Sequence, residues 1–273
     1  MKKVLILFGK SNWKNSQPFS NKDYQYSYEF FYTLCKKHGI QMYRASYEWY
    51  DYQNHVFKHA WIYNGPGANW SRVNDIIPDI IYDKTKGRAE VYYKKELIGK
   101  NFTIINDLTF TRIIDDKFLT SLIFSQWSKE SHIVRNQKEL FLCTQKIQTP
   151  MAVLKPISAS GGSGIQIFKK ESVSKISFHG EYILQEFIDS SRGVPNVKTG
   201  LHDLRLVFVN DSLIYSYIRT PRPDSYLANL AQGGSLTIVP IEKLPDSLFP
   251  IIKHSQKVFS SFDPFENQSA TYH

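Results

Sequence analysis

The sequence contains few cysteines and no long run of apolar residues. Its two cysteines, Cys35 and Cys143, show no metal-site spacing in a chain of 273 residues. This disfavours a disulfide framework and indicates a reduced, cytoplasmic protein. The apolar run at residues 4–8 follows two lysines but is too short for a signal peptide. No later run has the length of a membrane span, so we expect no membrane partner.

The chain also lacks a polybasic run, and the small-residue loop within residues 153–168 does not match a P-loop, which would need Gly-Lys-Ser/Thr entering a helix. Lysine and arginine total 34 against 25 for aspartate and glutamate, giving a formal net charge of +9. Such a surface attracts anions, which include nucleotides and acidic substrates as well as nucleic acid. Because the basic residues occur as scattered pairs rather than as a run, a nucleic-acid partner is the less favoured interpretation.

The first hundred residues alternate between strand and helix patterns. An amphipathic helix is indicated by apolar residues at helical spacing between Tyr24 and Cys35, followed by Gly39 as a stop. Apolar runs predict strands at residues 4–8, 40–45, 78–83 and 102–105. A strand, helix and strand in this order predict a parallel sheet with a right-handed crossover.

An aromatic stretch at residues 43–52, YRASYEWYDY, has two interpretations. It could line a substrate cleft, or it could pack into the core, and packing is the one we favour.

The second half contains three further helix patterns and several strand patterns. Helices are predicted at residues 115–127, with Asp115 or Asp116 as the N-cap, and at residues 139–147 and 248–262. Strands are predicted at residues 182–188, 204–210, 213–219 and 235–240, the middle two forming a hairpin turned at Asn210-Asp211.

Residues 153–168, VLKPISASGGSGIQIF, predict a strand, a loop of small residues and a second strand. Pro156 favours an extended backbone at Lys155, which places the lysine at the strand end. Exposed amides of such a loop suit phosphate oxygens, and a nearby lysine adds positive charge. The alternative is a flexible hairpin with Lys155 as a surface cation.

The order of these segments resembles the ATP-grasp superfamily, most nearly its glutathione synthetase and ribosomal-protein glutamate ligase branch. The resemblance rests on IINDLTFTRIIDDKFLTSLIF, VLKPISASGGSGIQIF, YILQEFI and HDLRLVFVNDSLIYSYIRTPRPDSYLANLAQGG, in that order. It implies an α/β (α+β) fold in which two ATP-grasp subdomains grip the nucleotide. The implied domains are a pre-ATP-grasp α/β domain at residues 1–107, a lid subdomain with the phosphate loop and hinge strand at 108–189, and a C-terminal subdomain at 190–273.

The resemblance implies a nucleotide-binding set. Lys117 and Lys155 match family lysines that bind the nucleotide phosphates, and Glu186 matches the polar partner of the adenine amino group. Asp203 matches the aspartate of the family's Asp-x-Arg strand. The phosphate loop and hinge strand complete the nucleotide site with Ser158, Ser160, Gly161, Gly162, Ser163, Gly164, Gln185, Phe187 and Ile188.

Three further residues match the family's catalytic positions. Arg205 corresponds to the arginine placed against the substrate carboxylate and the transferred phosphoryl group. Arg219 ends the next strand, and Asn229 belongs to the Asn-Leu-x-x-Gly-Gly turn. An alternative for both arginines is an ordinary surface position on a strand.

The implied function is an ATP-dependent carboxylate–amine ligase that forms an amide through an acyl phosphate. Its ligands would be ATP, Mg²⁺, a carboxylic acid and an amine, with a peptide or an amino acid among the candidates. An ATP-binding but inactive module that acts through a partner is the alternative. Leu227 stands where glutathione synthetase has an arginine, so the substrate is open.

The family's magnesium ligands lie on a strand pair that we expect beyond His273. Asp263, Glu266 and Asn267 surround Pro264 and look like loop residues, so they receive no metal role. The expectation is therefore a C-terminally truncated chain. The unpaired sheet edge that a truncation leaves would favour a homodimer.

Overall fold

The chain folds into two units. The computed structural model describes residues 1–9, 14, 15, 17–67, 69–85, 89–159, 161–261 and 271–272. Among the described residues, unit 1 contains Met1–Phe110 and unit 2 contains the chain from Thr111 onward. None of the helices within these ranges is long and apolar enough to cross a membrane.

Unit 1 contains eight strands and two helices among its described residues, and a third helix contains the boundary to unit 2. They are β1 Lys2–Phe8, α1 Lys22–Lys37, β2 Ile40–Ser46, β3 Tyr50–Asp51, β4 Val56–Phe57, β5 Ala60–Tyr63, β6 Trp70–Val73, β7 Ile80–Asp83, α2 Ala89–Gly99, β8 Thr103–Ile105 and α3 Leu108–Asp115.

Six of these strands form one sheet in the order β6-β5-β2-β1-β7-β8. The strands β2, β1, β7 and β8 are parallel, which confirms the predicted parallel sheet, and β5 and β6 extend it as an antiparallel hairpin. The prediction missed this hairpin. Its strands are only four residues long and rich in aromatic residues, so they show no clear strand period.

The aromatic stretch after β2 belongs to the core. Tyr43, Tyr47 and Tyr50 are all buried and pack with Leu5, Ile81 and other apolar residues beneath the sheet. This confirms that these tyrosines serve packing.

Unit 2 contains eight strands and three helices within its described ranges. They are α4 Lys117–Ile123, β9 Ser131–Val134, α5 Gln137–Lys146, β10 Met151–Pro156, β11 Gln166–Lys169, β12 Tyr182–Glu186, β13 Asp203–Val209, β14 Ser212–Thr220, β15 Ser235–Val239, α6 Phe249–Ser261 and β16 Thr271–Tyr272.

The strands of unit 2 form two antiparallel sheets. The first has the order β11-β10-β12-β9, and α5 covers one face through a core that includes Leu140, Leu154 and Leu184. The second has the order β15-β14-β13-β16, and Phe259 of α6 contacts Phe208 of β13 with ring centroids 5.2 Å apart. Each sheet therefore has one covered face and a second face that can carry a site.

Most of the predicted elements of unit 2 are present. The strand, loop and strand at residues 153–168 and the hairpin at Asn210-Asp211 are confirmed, and Asn210 adopts a φ of 55°. The predicted helix at residues 115–127 is shorter. It begins at Lys117, and Asp116 caps it by accepting hydrogen bonds from the amides of Phe118 and Leu119. The mixed α/β prediction is correct.

Candidate phosphate-binding site and arginine cluster

The loop between β10 and β11 encloses the ammonium group of Lys117. The Lys117 Nζ donates to the carbonyl oxygens of Pro156, Ile157 and Ala159 at 2.9, 3.1 and 2.6 Å. Lys117 is the first residue of α4, so the Asp116 cap fixes the position of its backbone. The helix start thus ties a cation to the loop predicted to hold phosphates.

Lys155 provides a second cation near the same loop. Its Nζ donates to Oε1 of Gln185 at 2.9 Å across the β10–β12 pair. Burial lowers the pKa of Lys155, and it also lowers the pKa of Lys117, which the nearby Lys155 ammonium lowers further. In the part of the chain that the structure describes, neither lysine forms an ion pair with a carboxylate. Two partly buried cations therefore lie close together with neutral oxygens as their direct partners.

The glycines of the loop adopt conformations that other residues seldom reach. Gly161, Gly162 and Gly164 have φ values of 70°, 81° and 72°. Such left-handed backbone lets consecutive amides point toward one side, as in anion-binding nests. Ser158 and Ser163 are exposed on the loop, whereas Ser160 lies outside the described residues.

The hinge strand brings the predicted adenine-facing residues to the end of β12. Glu186 accepts a hydrogen bond from the amide of Gln148 at 2.8 Å and pairs with Lys129 at 3.0 Å. These contacts, with the Lys129 hydrogen bond first, lower the pKa of Glu186. The carboxylate is therefore ionised and already engaged, and Ile188 beyond it is exposed.

A cavity of about 490 Å³ lies beside the hinge. Phe187 forms one wall and contacts Tyr226 edge-on, with ring centroids 5.1 Å apart. The cavity is lined by Thr149, Pro150, Met151, Phe187, Asp189, Ser191, Leu201 and Tyr226. Its size and aromatic walls suit a flat heterocycle.

The second sheet of unit 2 gathers two arginines around one carboxylate. The Nε and Nη2 atoms of Arg205 donate to the two oxygens of Asp203 at 3.0 and 3.1 Å. Arg219, directly opposite Asp203 in the β13–β14 register, donates to the same carboxylate through Nε at 3.1 Å and through Nη2. Two guanidinium groups share one carboxylate, so the cluster retains positive charge for an anionic ligand.

The glycine loop and the turn before β15 lie against each other. A Cβ atom on Gly162 would be 2.9 Å from Oδ1 of Asn229, so a larger residue there would have to displace this side chain. The carbonyl of Asn229 accepts hydrogen bonds from the amides of Gln232 and Gly234 at 2.8 and 3.2 Å. The structure thus brings the loop and the Asn229 turn together.

A comparison with protein families decides the assignment of this chain. The sequence profile described as "Prokaryotic glutathione synthetase, ATP-grasp domain" matches residues 116–257, more than half of the chain. The chain belongs to this ATP-grasp family. No curated protein matches the sequence.

Solved structures show the same ATP-grasp fold at low sequence identity. The VanG D-Ala:D-Ser ligase from Enterococcus faecalis is 13% identical with a TM-score of 0.57, and the match covers 95% of this chain and 82% of that one. The D-cycloserine synthetase DcsG is 14% identical with a TM-score of 0.56, covering 94% and 80%. The D-alanine–D-alanine ligase from Bacillus anthracis, complexed with ATP, is 12% identical with a TM-score of 0.55, covering 96% and 78%.

Metal-ligating side chains are not clustered among the described residues of this ATP-grasp chain. No group of three histidine, cysteine, aspartate or glutamate side chains among them could hold a metal ion. Asp263, Glu266 and Asn267 lie outside the described residues.

Sequence analysis missed several residues of this part of the molecule. Lys129 forms the ion pair with Glu186, and Met151 and Tyr226 line the hinge cavity. These residues come from three separate segments, and no motif in the sequence marks them.

Proposed function

We propose that the chain is an ATP-dependent carboxylate–amine ligase that works through an acyl phosphate. The observation that carries the proposal is the contact between Gly162 and Asn229, which joins the phosphate loop to the turn beyond the arginine strand. The γ-phosphate of a triphosphate held by the loop would then lie near Arg205 and Arg219.

The charges near the loop fit a nucleotide triphosphate. Lys117 and Lys155 have neutral oxygens as direct partners, and the loop between them offers amides in left-handed conformations. Oxygens of a triphosphate would replace the carbonyl and amide oxygens as partners of the two ammonium groups. We assign Lys117, Lys155 and the loop residues 158–164 to the phosphates, and Asp203 to the positioning of the two arginines.

The hinge region fits the base of the nucleotide. We assign the backbone of Gln185 to Ile188 to one edge of adenine and the cavity beside Phe187 to its ring faces. Glu186 is held by Lys129, so its free lone pairs can accept from the adenine amino group. We also propose that residues 108–189 and 190–273 are the two gripping subdomains.

The positive charges of Arg205 and Arg219 suit the binding of the transferred phosphoryl group and of the acid. In the proposed reaction, a carboxylate oxygen attacks the γ-phosphorus of ATP, the bond to the β–γ bridging oxygen breaks, and ADP leaves. The amine nitrogen then attacks the acyl carbon, phosphate leaves with the C–O electron pair, and the nitrogen loses a proton to form the amide.

Both steps concentrate negative charge, which the two arginines can stabilise. We assign Arg205 and Arg219 to that charge and Asn229 to hydrogen bonding at the same place. We propose Mg²⁺ as the companion of ATP and assign it no ligand, because no three metal-ligating side chains cluster among the described residues.

The proposal is tested by trapping the acyl phosphate. The chain is incubated with ATP, magnesium, a panel of carboxylic acids and hydroxylamine, and hydroxamate and ADP are measured. We expect acid-dependent hydroxamate, reduced at least about a hundredfold in Arg219→Gln because an oxyanion-stabilising group is lost. The exposed Arg192→Gln variant is the matched control and keeps full activity.

Nucleotide binding without hydroxamate from any acid would contradict ligase activity. It would favour the alternative of an ATP-binding module that acts through a partner. Failure of ATP to bind would contradict both.

A further inference from the structure

The face of the second sheet that carries the arginines continues as an apolar surface toward the edge strand β15. In the strand register, Asp203 of β13 is opposite Arg219 of β14, which is opposite Leu236 of β15. Directly paired residues lie on the same face, with Cβ atoms about 5 Å apart. This first row therefore passes from a carboxylate through a guanidinium to an aliphatic side chain.

The second row shows the same change from a charged to an apolar side chain. Arg205 of β13 is opposite Tyr217 of β14, which is opposite Ile238 of β15. Tyr217 stacks on Tyr215, with ring centroids 6.0 Å apart and planes inclined by 24°. Charge again lies on β13, and aromatic and aliphatic groups lie toward the edge.

The aliphatic end of both rows is exposed. Leu236 is 43% exposed and Ile238 is 60% exposed, whereas Ile218 and Val239 on the opposite face are 2% and 5% exposed. Aliphatic side chains on a strand usually point toward a core, and these point away from the core of their own sheet. We call Tyr217, Leu236 and Ile238 the apolar patch.

The patch lies beside a site with excess positive charge. Asp203 is the one carboxylate that contacts Arg205 and Arg219 in the described chain, so two cations share one anion there. An anionic group held by the arginines would place any apolar substituent it carries directly over the patch. Adjacent strands are about 5 Å apart, so the charged and apolar parts of the ligand should be separated by a similar distance.

We propose that the apolar patch binds the side chain of the acid substrate, which is a small monocarboxylic acid with a branched aliphatic or aromatic substituent. This inference rests on the proposed ligase function for the role of the acid. The arginines hold the carboxylate, and the patch removes the substituent from water. Acids with a second charge at the substituent would meet aliphatic side chains there and bind more weakly.

The test is a calorimetric titration of the full chain with three matched probes, without nucleotide. The probe 4-methylpentanoate carries both the charge and the branched group, acetate carries only the charge, and 4-methylpentanamide carries only the branched group. We expect 4-methylpentanoate to bind at least about tenfold more tightly than either of the others, which corresponds to about 1.4 kcal/mol.

A double substitution locates the effect. The Leu236→Thr/Ile238→Thr variant places β-branched threonines, which favour strands, at both positions, so the sheet should be retained. It should bind 4-methylpentanoate as weakly as acetate, with acetate binding unchanged. Ile214→Thr is the matched control, because Ile214 is 52% exposed at the irregularity of the β13–β14 register and is not paired with the arginine rows.

Equal binding of 4-methylpentanoate and acetate would overturn the inference, as would a double variant with unchanged binding. A parallel ATP titration separates this result from the proposed function. ATP binding without any preference among the probes rejects the patch and leaves the ligase proposal standing. A patch-dependent preference without ATP binding rejects the ligase proposal and leaves the acid site standing.

Discussion

Gly162 and Asn229 lie so close together that any side chain at the loop position would have to displace the amide of Asn229. The missing side chain leaves room for Oδ1 of Asn229, which would be 2.9 Å from a Cβ atom. This contact joins the glycine loop to the turn before β15, so it holds together two segments that are more than sixty residues apart in sequence.

The Gly162→Ala variant should weaken ATP binding more than Gly161→Ala. Both positions have a left-handed backbone, so both substitutions carry a strain of about 1 kcal/mol. A Cβ atom on Gly161 would have nothing within 4 Å, whereas one on Gly162 would displace Asn229. We expect the ATP dissociation constant of Gly162→Ala to exceed that of Gly161→Ala by about tenfold, an extra cost of about 1.4 kcal/mol.

The Asn229→Ala background provides the control. Removal of the side-chain amide relieves the overlap, so the difference between the two alanine variants should disappear there. An unchanged difference would mean that Asn229 does not limit the position of Gly162.

The Lys155→Met variant should be more stable than the wild type in the absence of ATP. Burial lowers the pKa of Lys155, which means that the folded protein holds the charged form at a cost. A methionine of similar length removes that charge and loses one hydrogen bond to Gln185. We expect the melting temperature to rise by about 2–4 °C in a thermal scan, the equivalent of about 1 kcal/mol.

Lys146→Met is the control for that measurement, because Lys146 is an exposed lysine in the last turn of α5. Its melting temperature should stay near that of the wild type. A clear fall for Lys155→Met would show that the lysine stabilises the free protein.

ATP binding should take up protons at alkaline pH. The pKa values of Lys117 and Lys155 are held below their ordinary value of 10.5, mainly by burial. A bound triphosphate favours the charged ammonium groups, so it raises both pKa values. Binding therefore becomes weaker as the pH rises through the lowered pKa values of the free protein toward the ordinary lysine value of 10.5.

Titrations in two buffers with different ionisation enthalpies measure this uptake. The wild type and Lys146→Met should both show it. Affinity that is independent of pH in this range would mean that the two lysines do not contact the phosphates.

The buried ion pair of unit 1 should make a large contribution to stability. Lys95 Nζ and Asp83 Oδ2 are 2.7 Å apart, and the two side chains are 0% and 3% exposed. In the Lys95→Met variant, Asp83 would be left as an unpaired buried charge, at a cost of about 3–5 kcal/mol. Urea unfolding followed by circular dichroism should show the loss.

Two further variants check the explanation. Lys95→Met/Asp83→Asn removes both charges, keeps an oxygen for the amide of Thr85, and should recover most of the stability. Lys94→Met removes the exposed pair with Glu90 and a cation–π contact with the ring of Tyr47, and it should have a much smaller effect. If the double variant were as unstable as Lys95→Met, the loss of stability would come from altered packing and not from the unpaired charge of Asp83.

Local patterns were enough to predict much of unit 2. Small residues between Pro156 and Ile165 predicted the loop, and Asn210-Asp211 predicted the hairpin turn, because both depend on neighbours in the chain. The resemblance supplied the candidate site residues, and the structure places many of them together.

Contacts between distant segments could not be predicted. Lys117 donates hydrogen bonds to carbonyl oxygens 39 to 42 residues away in the sequence. The cavity beside Phe187 is completed by Tyr226, which lies in the connection between β14 and β15. The β5–β6 hairpin was missed because short aromatic strands show no clear period. Such features depend on the tertiary fold, and a local sequence pattern carries no signal for them.

Calorimetric titration of the full chain with ATP and magnesium tests the central claim most directly. Wild type and Lys146→Met should bind with the same affinity, and Lys155→Met should bind at least about tenfold more weakly, because a direct phosphate ligand is lost. The thermal scan shows that each variant is folded. Failure of the wild type to bind ATP, or equal binding by Lys155→Met, would contradict the proposed nucleotide site.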